Sequence, residues 1–372
     1  MRCRGMIPAP SCPSWSTPAT RGRGNNPDVP RAARRQFPAT RRTRCIALLL
    51  GCLAMAGANA RDDVFNFTLP WLPVGDYAYY TAGIALGYYR DVGIDLRVKR
   101  GFGSIDATTK LAAGLFDAGE VDIAAVISGR LQQQTPVKCI ASNQTVSPGG
   151  FLVLKSSGIE TLQDLVGKTI ATQPGNAMFL YLPMLAAQQG FDATRIQRVN
   201  VDNTAMAGLL LRGKVDAAAF LVTNEPFLDR QAQRFGKSVR AIRYADYGLD
   251  IYGQCIAAPD EVIANKPDLL RRFLQATLRA RRFALENPEE TVALHHAAYP
   301  EVDPEDALLS LRAALPYMFN PVTEAAGLGQ FAPARVQATY DAVVKSQALQ
   351  GSAPLEAFVD DSLVRDLESA GD

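Results

Sequence analysis

Polar and aromatic side chains follow an apolar stretch near residue 65, and their types are suited to binding a planar ligand. Trp71 is the last large residue of the strand predicted over residues 65–72, and Asp76, Tyr79 and Tyr80 follow it. Ligands of open α/β sheets bind at the carboxyl ends of strands, and aromatic faces pack well against flat rings. Ordinary core packing is the alternative for each aromatic residue. The spacing therefore predicts a site for a planar heterocycle after this strand.

A second candidate group lies between a predicted strand over residues 169–172 and the helix after it. Gln173, Gly175 and Asn176 occupy this connection. Free backbone N–H groups at a helix start bind carbonyl, carboxylate or phosphate oxygens. A simple helix cap by Asn176 is compatible with the same role. Two further polar residues follow predicted strands in the same way, Ser128 and Asn203.

Asn224 and Glu225 form a third candidate group after the strand predicted over residues 217–222. Pro226 follows them and is typical of the first turn of a helix. We expect Glu225 to accept hydrogen bonds from a ring amine while Asn224 satisfies a neighbouring acceptor. The alternative is that Glu225 only interacts with the helix dipole. A pocket acid argues against nitrate and sulfonate ligands, because anions need basic or neutral donors.

The histidine and cysteine content argues against metal and nucleophilic chemistry. His295 and His296 are the only histidines, and adjacent residues on a helix point about 100° apart. They cannot easily hold one metal ion, and the chain has no cysteine pair with metal-ligand spacing. We therefore expect no catalytic residues, no metal and no cofactor.

The front of the chain differs in composition from the rest. Residues 1–60 contain ten arginines and one acid, and an apolar run over residues 45–56 ends at Ala58-Asn59-Ala60. This pattern predicts a disordered extension and a secretory signal that is cleaved after Ala60, which places the protein in the periplasm. An uncleaved anchor helix and a lipoprotein at Cys52 are the alternatives. Both the general and the twin-arginine export routes stay open.

The remainder of the chain is mildly acidic. Beyond residue 60 lie 29 of the 39 basic residues and 36 of the 37 acidic residues, although the whole chain has a formal charge of +2. An acidic protein has no electrostatic surface for nucleic acid and no attraction to anionic lipid. The composition therefore excludes both as direct partners.

From Val64 onward, short apolar strands alternate with helical stretches, which is typical of α/β proteins. The third predicted strand covers residues 121–127. The alternation begins again after residue 150, and the chain becomes mostly helical after residue 258. This order predicts two lobes, one of residues 61–150 and 254–372 and the other of residues 151–253. A single continuous doubly wound sheet is the alternative.

Several stretches resemble, in order and spacing, the solute-binding proteins for the thiamine pyrimidine precursor and for nitrate, sulfonate and taurine. They are Leu69-Pro70-Trp71-Leu72-Pro73, Gly93-Ile94-Asp95-Leu96, Leu162-Gln163-Asp164-Leu165, Asn224-Glu225-Pro226 and Tyr247-Gly248-Leu249-Asp250-Ile251-Tyr252-Gly253. The last two stretches are most similar to the pyrimidine-precursor branch. Coverage extends over roughly residues 64–300.

The resemblance implies a two-lobed type II periplasmic-binding fold, with two mostly parallel sheets, flanking helices and a two-strand hinge. It implies a periplasmic ABC-importer component that captures a small planar heterocycle by hinge closure, with Tyr252 among the ligand-binding residues. The implied partners are the ligand and a permease with its ATPase, which is the only link to the membrane, and we expect a monomer. A binding protein for a sulfonate, taurine, nitrate or an aromatic acid is the alternative. A pyrimidine-synthase-like enzyme and a sensory module are further alternatives.

Fungal enzymes of the same branch make the thiamine pyrimidine from their own histidine and a bound vitamin B6 phosphate. They carry a histidine soon after the first-strand tryptophan and a cysteine-rich motif. Here Asp76-Tyr77-Ala78-Tyr79 occupies the first region, and no cysteine cluster exists. We therefore expect no synthase activity.

The resemblance also places Cys139 and Cys255 on adjacent strands, because in this fold the returning strand inserts antiparallel beside the fourth. Export makes a disulfide chemically possible. Adjacent-strand disulfides need a specific Cα separation, so two buried free thiols are the other possibility.

Overall fold

Two five-stranded sheets form the framework of residues 62–369, the part of the chain that the computed structural model describes. The predicted leader, the export signal and the cleavage after Ala60 lie outside these residues. The first sheet has the strand order β2-β1-β3-β10-β4. Its strands are β1 (Asp63–Thr68), β2 (Ile94–Lys99), β3 (Ala118–Asp122), β4 (Val137–Ser142) and β10 (Gln254–Pro259).

The second sheet repeats this arrangement with the order β7-β6-β8-β5-β9. Its strands are β5 (Gly150–Leu154), β6 (Thr169–Thr172), β7 (Gln197–Asn200), β8 (Ala217–Ala218) and β9 (Val239–Arg243). In both sheets three strands pair in parallel, and the remaining two pairings are antiparallel. We call residues 62–149 and 254–369 the first half and residues 150–253 the second half. Both belong to one compact unit.

Helices cover the sheets. They are α1 (Ala78–Ala85), α2 (Ser104–Ala112), α3 (Ile123–Gln133), α4 (Leu182–Gln189), α5 (Asn203–Leu211), α6 (Glu225–Gln233), α7 (Asp260–Asn265), α8 (Pro267–Glu286), α9 (Pro288–Ala298), α10 (Pro304–Met318), α11 (Pro321–Ala326), α12 (Pro333–Gln347) and α13 (Ser362–Ser369). No helix within residues 62–369 is both long and apolar enough to cross a membrane.

Strand β1 shows how the sequence builds the core of the first half. Phe65 and Phe67 lie two residues apart, so they point to the same face of the strand, and both are fully buried. The Phe65 ring stacks on Phe273 of α8, with ring centroids 4.3 Å apart. Burying each such side chain stabilises the fold by about 1.5–3 kcal/mol. This packing holds the end of β1, and with it the loop that follows, in place.

The predicted α/β fold with two sheets and flanking helices is confirmed. Both sheets are mixed rather than mostly parallel, because β10 and β5 insert antiparallel to their neighbours. The strand predicted over residues 121–127 is wrong after Asp122, where α3 begins. The Asp122 carboxylate accepts a hydrogen bond from Ala124 N at 2.9 Å and caps this helix. The strand predicted over residues 217–222 is limited to β8.

Strand β10 runs antiparallel to β4, as expected for the returning strand. Cys139 on β4 and Cys255 on β10 form a disulfide, with their Cα atoms 5.7 Å apart. The structure therefore contains the disulfide rather than the two free thiols that the sequence also allows. The disulfide joins the two segments of the first half that the second half separates in sequence.

Candidate ligand-binding site

A pocket lies between the two halves at the ends of the strands; we call it the inner pocket. The first half contributes several polar and aromatic side chains to it, among them Trp71, Asp76, Asp122 and Gln254. The second half contributes Gln173, Asn176, Phe220 and Asn224. The pocket therefore contains groups from both sheets, and a ligand in it would contact both.

The apolar part of the inner pocket includes aromatic rings from both halves. Trp71 and Phe220 come from opposite halves, and their ring centroids are 5.9 Å apart with an interplanar angle of 72°. Met178 adds a polarisable side chain to the lining. Aromatic rings in edge or stacked arrangements bind other aromatic rings favourably.

Two buried glutamines in the inner pocket have unused hydrogen-bonding capacity. Gln173 is only 4% exposed, and neither its Nε2 nor its Oε1 atom has a partner. Gln254 is 5% exposed; its Nε2 donates to the Tyr77 hydroxyl at 3.1 Å, and its Oε1 has no partner. An unpaired buried amide costs about 1–3 kcal/mol, so a ligand that satisfies these atoms gains affinity. Together the two side chains offer one donor and two acceptors.

Asp122 places a carboxyl group in the pocket wall. Besides capping α3, its Oδ1 atom accepts a hydrogen bond from the Tyr181 hydroxyl of the second half at 3.1 Å. Burial disfavours the charged form and raises the pKa of Asp122 to about 7. At neutral pH this group therefore exists in both protonation states, and it can accept or donate a hydrogen bond.

Asp76 joins the two halves at the other side of the inner pocket. Its carboxylate accepts hydrogen bonds from Thr223 Oγ1 at 2.7 Å and from Asn224 Nδ2 at 3.3 Å, both in the second half. Ser310 of α10 donates a further hydrogen bond to it. Desolvation raises the pKa of Asp76 to about 6, although the hydrogen bonds oppose this shift. The side chain thus links the halves and also borders the ligand space.

Further contacts join the halves around the pocket. The backbone N–H of Ile105 donates to the carbonyl of Gly175 at 3.3 Å. Gly103 lies so close to Gly175 that a Cβ atom there would stand 2.4 Å from the Gly175 oxygen. On a different edge, Arg230 of α6 forms ion pairs with Asp303 at 3.5 Å and Asp306 at 2.6 Å, at the start of α10.

The structure brings five of the predicted site residues together in the inner pocket. They are Trp71, Asp76, Gln173, Asn176 and Asn224. Asn176 also acts as a cap, because its Oδ1 accepts a hydrogen bond from Met178 N at 2.9 Å. Two more predicted residues, Gly175 and Asn203, line an adjacent open groove to which Gln173 also belongs.

The other predicted residues lie outside both spaces and bind protein groups. The hydroxyls of Tyr79 and Tyr80 donate to Glu120 at 2.7 and 2.8 Å. Ser128 lies on α3 and accepts a hydrogen bond from Gln347, since the strand expected before it ends at Asp122.

Glu225 and Tyr252 are likewise engaged with the protein. The Glu225 carboxylate accepts a hydrogen bond from Ala241 N at 3.0 Å and pairs with Arg243. The Tyr252 hydroxyl accepts a hydrogen bond from Ala332 N at 2.8 Å. Neither side chain is available to a ligand in the inner pocket of this structure.

Sequence reasoning missed most of the other lining residues, among them Asp122, Met178, Phe220 and Gln254. The apolar residues around Asp122 predict a continuous strand. For this reason Asp122 is not identified from the sequence as a helix cap at the end of the strand. The sequence predicts Gln254 only as the first residue of the lobe segment 254–372. An acid directly before a run of helix-compatible residues is the signal that identifies the Asp122 cap.

Among the described residues, the lining of the inner pocket contains no histidine, cysteine, lysine or arginine. His295 is buried elsewhere, with Nδ1 2.7 Å from Thr81 Oγ1 and Nε2 2.8 Å from the carbonyl oxygen of Pro73. Within residues 62–369, no cluster of three or more acidic, histidine or cysteine side chains is placed to hold a metal ion.

Comparisons with known proteins agree with this architecture. The riboflavin-binding protein RibY of Chloroflexus aurantiacus is 28% identical over 289 residues, which cover 74% of this chain and 79% of that protein. The 4-amino-5-hydroxymethyl-2-methylpyrimidine phosphate synthase of Legionella pneumophila is 26% identical over 220 residues, or 58% of this chain and 68% of the relative.

The solved structure of the alkanesulfonate-binding protein SsuA from Xanthomonas axonopodis pv. citri superposes with a TM-score of 0.62. It is 14% identical, and the superposition covers 80% of this chain and 97% of that one. At this identity the similarity establishes the fold. The family described as NMT1/THI5 like matches residues 75–291, more than half of the chain. This protein therefore belongs to the NMT1/THI5-like family and has the fold of the periplasmic binding proteins.

Proposed function

We propose that this protein is the solute-binding component of an ABC importer and holds a small planar heterocycle between its two halves. The observation that best supports this function is the lining of the inner pocket. Aromatic side chains of both halves lie there beside two buried glutamines with unpaired amide atoms. A thiamine pyrimidine precursor or a flavin has the required flat ring and ring-edge donors and acceptors. The names of the Chloroflexus and Legionella relatives, which concern riboflavin and a pyrimidine, support this ligand class.

The charges in the pocket favour a heterocycle over an anion. Asp76 and Asp122 line the space, whereas no basic side chain does. A sulfonate or nitrate ion would approach two carboxyl groups without a cation to offset the repulsion. A ring amine, in contrast, can donate hydrogen bonds to either carboxylate. Sulfonate, taurine and nitrate are therefore the less favoured ligands.

The same lining supports binding rather than catalysis. The described lining contains no histidine, cysteine or lysine, and its two carboxyl groups, Asp76 and Asp122, already accept hydrogen bonds from protein groups. Both ring nitrogens of His295 already have partners outside the pocket. We therefore propose that the synthase activity named for the Legionella relative is not shared by this chain.

Capture would occur by closure of two lobes, residues 61–150 with 254–372 and residues 151–253. A ligand that contacts both halves stabilises the closed form in proportion to its higher affinity for that form. The hydrogen bonds from Thr223 and Asn224 to Asp76 support this mechanism, because they form only where the halves meet. The closed monomer would then deliver its ligand to a permease with its ATPase.

We place this activity in the periplasm, after export and cleavage following Ala60. The periplasmic-binding fold and the composition of residues 1–60 support the assignment. Expression in a Gram-negative host, followed by fractionation and sequencing of the new amino terminus, tests it. Cleavage at Ala60 with protein in the periplasmic fraction is expected. Uncleaved protein in the membrane fraction would contradict the assignment.

Thermal shift of the purified protein tests the ligand class. The panel contains hydroxymethyl- and formylamino-pyrimidines, thiamine, riboflavin, taurine, alkanesulfonates, nitrate and phthalates. A higher melting temperature is expected with a pyrimidine or flavin, and Trp71→Ala should abolish it. Phe235→Ala is the matched control, because this aromatic residue is 67% exposed and lines neither cavity. A shift only with sulfonates or nitrate would retain a binding protein but reject the heterocycle.

A further inference from the structure

Gln173 separates the inner pocket from a second space, which we call the outer groove. The outer groove is larger than the inner pocket and more open to solvent. Its walls come from both halves and include Phe102, Ile105, Asp106, Gly175, Asn200 and Asn203. Because Gln173 lines both spaces, a ligand that bonds to its amide in the inner pocket has the outer groove next to it.

The outer groove contains a buried donor without a partner. Asn203 is 3% exposed, and its Oδ1 accepts a hydrogen bond from Arg100 Nη2 at 2.5 Å. Its Nδ2 atom has no partner. The bond to Arg100 fixes the orientation of the amide, so the free donor is held in a defined direction. With the two free atoms of Gln173, the groove offers hydrogen-bonding groups of both kinds.

The charged groups near the outer groove form ion pairs with one another, although Arg100 Nε has no partner among the described residues. Asp106 forms an ion pair with Lys110 at 2.6 Å, and Asp202 lies 3.9 Å from Arg100. Asp202 also accepts hydrogen bonds from the backbone and hydroxyl of Thr204. An added anion would meet two carboxylates, and an added cation would compete with existing partners. The groove is therefore better suited to a neutral polar group.

The boundary between the two spaces is thin. Beside Gln173, the halves meet through Gly103 and Gly175, and neither residue has a side chain. Ile105 N donates to Gly175 O at 3.3 Å, close to the upper limit for such a bond. In this structure the backbone contact closes the boundary beside Gln173, so a chain that joins the two spaces requires this contact to open.

We propose that the outer groove is a subsite for a neutral, hydroxylated chain attached to the planar ring in the inner pocket. This inference rests on the proposed function and specifies its ligand class. Hydroxyl groups both donate and accept hydrogen bonds, so they match the donor of Asn203 and the mixed amide of Gln173. A bare pyrimidine in the inner pocket would leave the Asn203 donor unpaired.

Titration of the full-length protein with three flavin probes tests the subsite. Riboflavin has the ring and a neutral hydroxylated chain, lumichrome has the ring alone, and riboflavin phosphate carries a charged chain. Riboflavin is expected to bind at least tenfold more tightly than lumichrome and at least fivefold more tightly than its phosphate. Flavin fluorescence and calorimetry give the dissociation constants.

Asn203→Asp isolates the free donor, because the new carboxylate still accepts the bond from Arg100. This variant should weaken riboflavin binding at least fivefold and leave lumichrome binding unchanged. Gln197→Glu is the matched control; it makes the same amide-to-acid change at an exposed position of β7 outside the groove. It should alter neither affinity.

Equal affinities for riboflavin and lumichrome would overturn the subsite, as would an equal loss of both in Asn203→Asp. If only an unsubstituted pyrimidine binds, the subsite is rejected while the heterocycle function stands. If no heterocycle of the larger panel binds, the proposed function itself fails. The two failures are therefore distinguishable.

Discussion

The loops after β1 and β6 occupy equivalent positions in the two sheets but use their polar groups differently. Each strand is second in its sheet and is flanked by parallel neighbours. The loop after β1 carries Asp76, whose carboxylate binds three side chains. The loop after β6 carries Gln173, whose amide binds none. The Asp76 side chain therefore joins the halves, whereas the loop after β6 contacts the first half through the Gly175 backbone and leaves the Gln173 amide unpaired among the described residues.

The two halves also differ in their sensitivity to pH. Among the described residues, burial raises the pKa of three carboxyl groups, and Asp76, Glu120 and Asp122 all belong to the first half. The amide of Gln173 does not titrate. The first half therefore contributes the titrating carboxyl groups of the inner pocket, whereas the Gln173 amide of the second half binds without a change of charge.

The largest expected effect concerns the contact between the halves. Gly103→Ala should weaken ligand binding more than a hundredfold, because its Cβ would lie 2.4 Å from Gly175 O when the halves meet. That factor corresponds to about 3 kcal/mol. Gly114→Ala is the control: Gly114 also has a positive φ, +70° against +111° for Gly103, but an open surrounding, so the variant should lose only about 1 kcal/mol of stability. Calorimetric titration of both variants measures the affinities. An unchanged affinity in Gly103→Ala would contradict the expectation.

The pH dependence of stability is the next effect. A carboxyl group whose folded pKa lies above its unfolded value binds protons more tightly when folded, so it stabilises the protein at low pH. For Asp122, with a pKa of about 7 against 3.8, the free energy of unfolding should fall by about 2–3 kcal/mol from pH 5 to pH 8.

Urea unfolding across this range measures the dependence. Asp122→Asn should reduce the slope, because the amide does not titrate, and Asp164→Asn should not. Asp164 is exposed, and hydrogen bonds lower its pKa, so it titrates below this range. An unchanged slope in Asp122→Asn would contradict the assignment.

Gln173→Leu separates ligand recognition from folding. The change should weaken heterocycle binding roughly thirtyfold, about 2 kcal/mol, without lowering the stability of the free protein. No protein partner is lost, because both amide atoms are unpaired. Gln254→Leu is the contrasting variant: it leaves the Tyr77 hydroxyl without its donor and should lower both affinity and stability. Equal losses of stability in the two variants would contradict the expectation that only Gln254 contributes to folding.

Thr223→Val should produce the smallest change. It removes one hydrogen bond to Asp76 across the halves while preserving side-chain shape, and Thr223 does not line the inner pocket. Ligand affinity should fall roughly fivefold, or about 1 kcal/mol. Thr109→Val removes a hydroxyl bond within α2 and serves as control. Isothermal calorimetry measures the affinity of both variants. Equal affinities in Thr223→Val and Thr109→Val would show that the bond from Thr223 to Asp76 does not support closure.

Local sequence patterns predicted the α/β class, the restart of the strand pattern after residue 150 and the position of Trp71 at a strand end. These features follow from short-range hydrophobic periodicity and from the rule that ligands bind at the carboxyl ends of strands. The end of β3 was missed for a related reason. Residues 121–127 are apolar apart from Asp122, and a buried strand and a buried helix share that composition.

The sequence by itself determined which elements form, their order and the candidate loops, because these depend on residues near one another in the chain. Only the tertiary structure decided that Asp76 meets Thr223, that Cys139 meets Cys255, and that Gln173 is left without a partner. Whether a polar group is paired depends on residues from distant segments, and Thr223 lies 147 positions from Asp76. For the same reason Glu225, a plausible ligand acceptor in the sequence, pairs with Arg243 of a neighbouring strand in the fold.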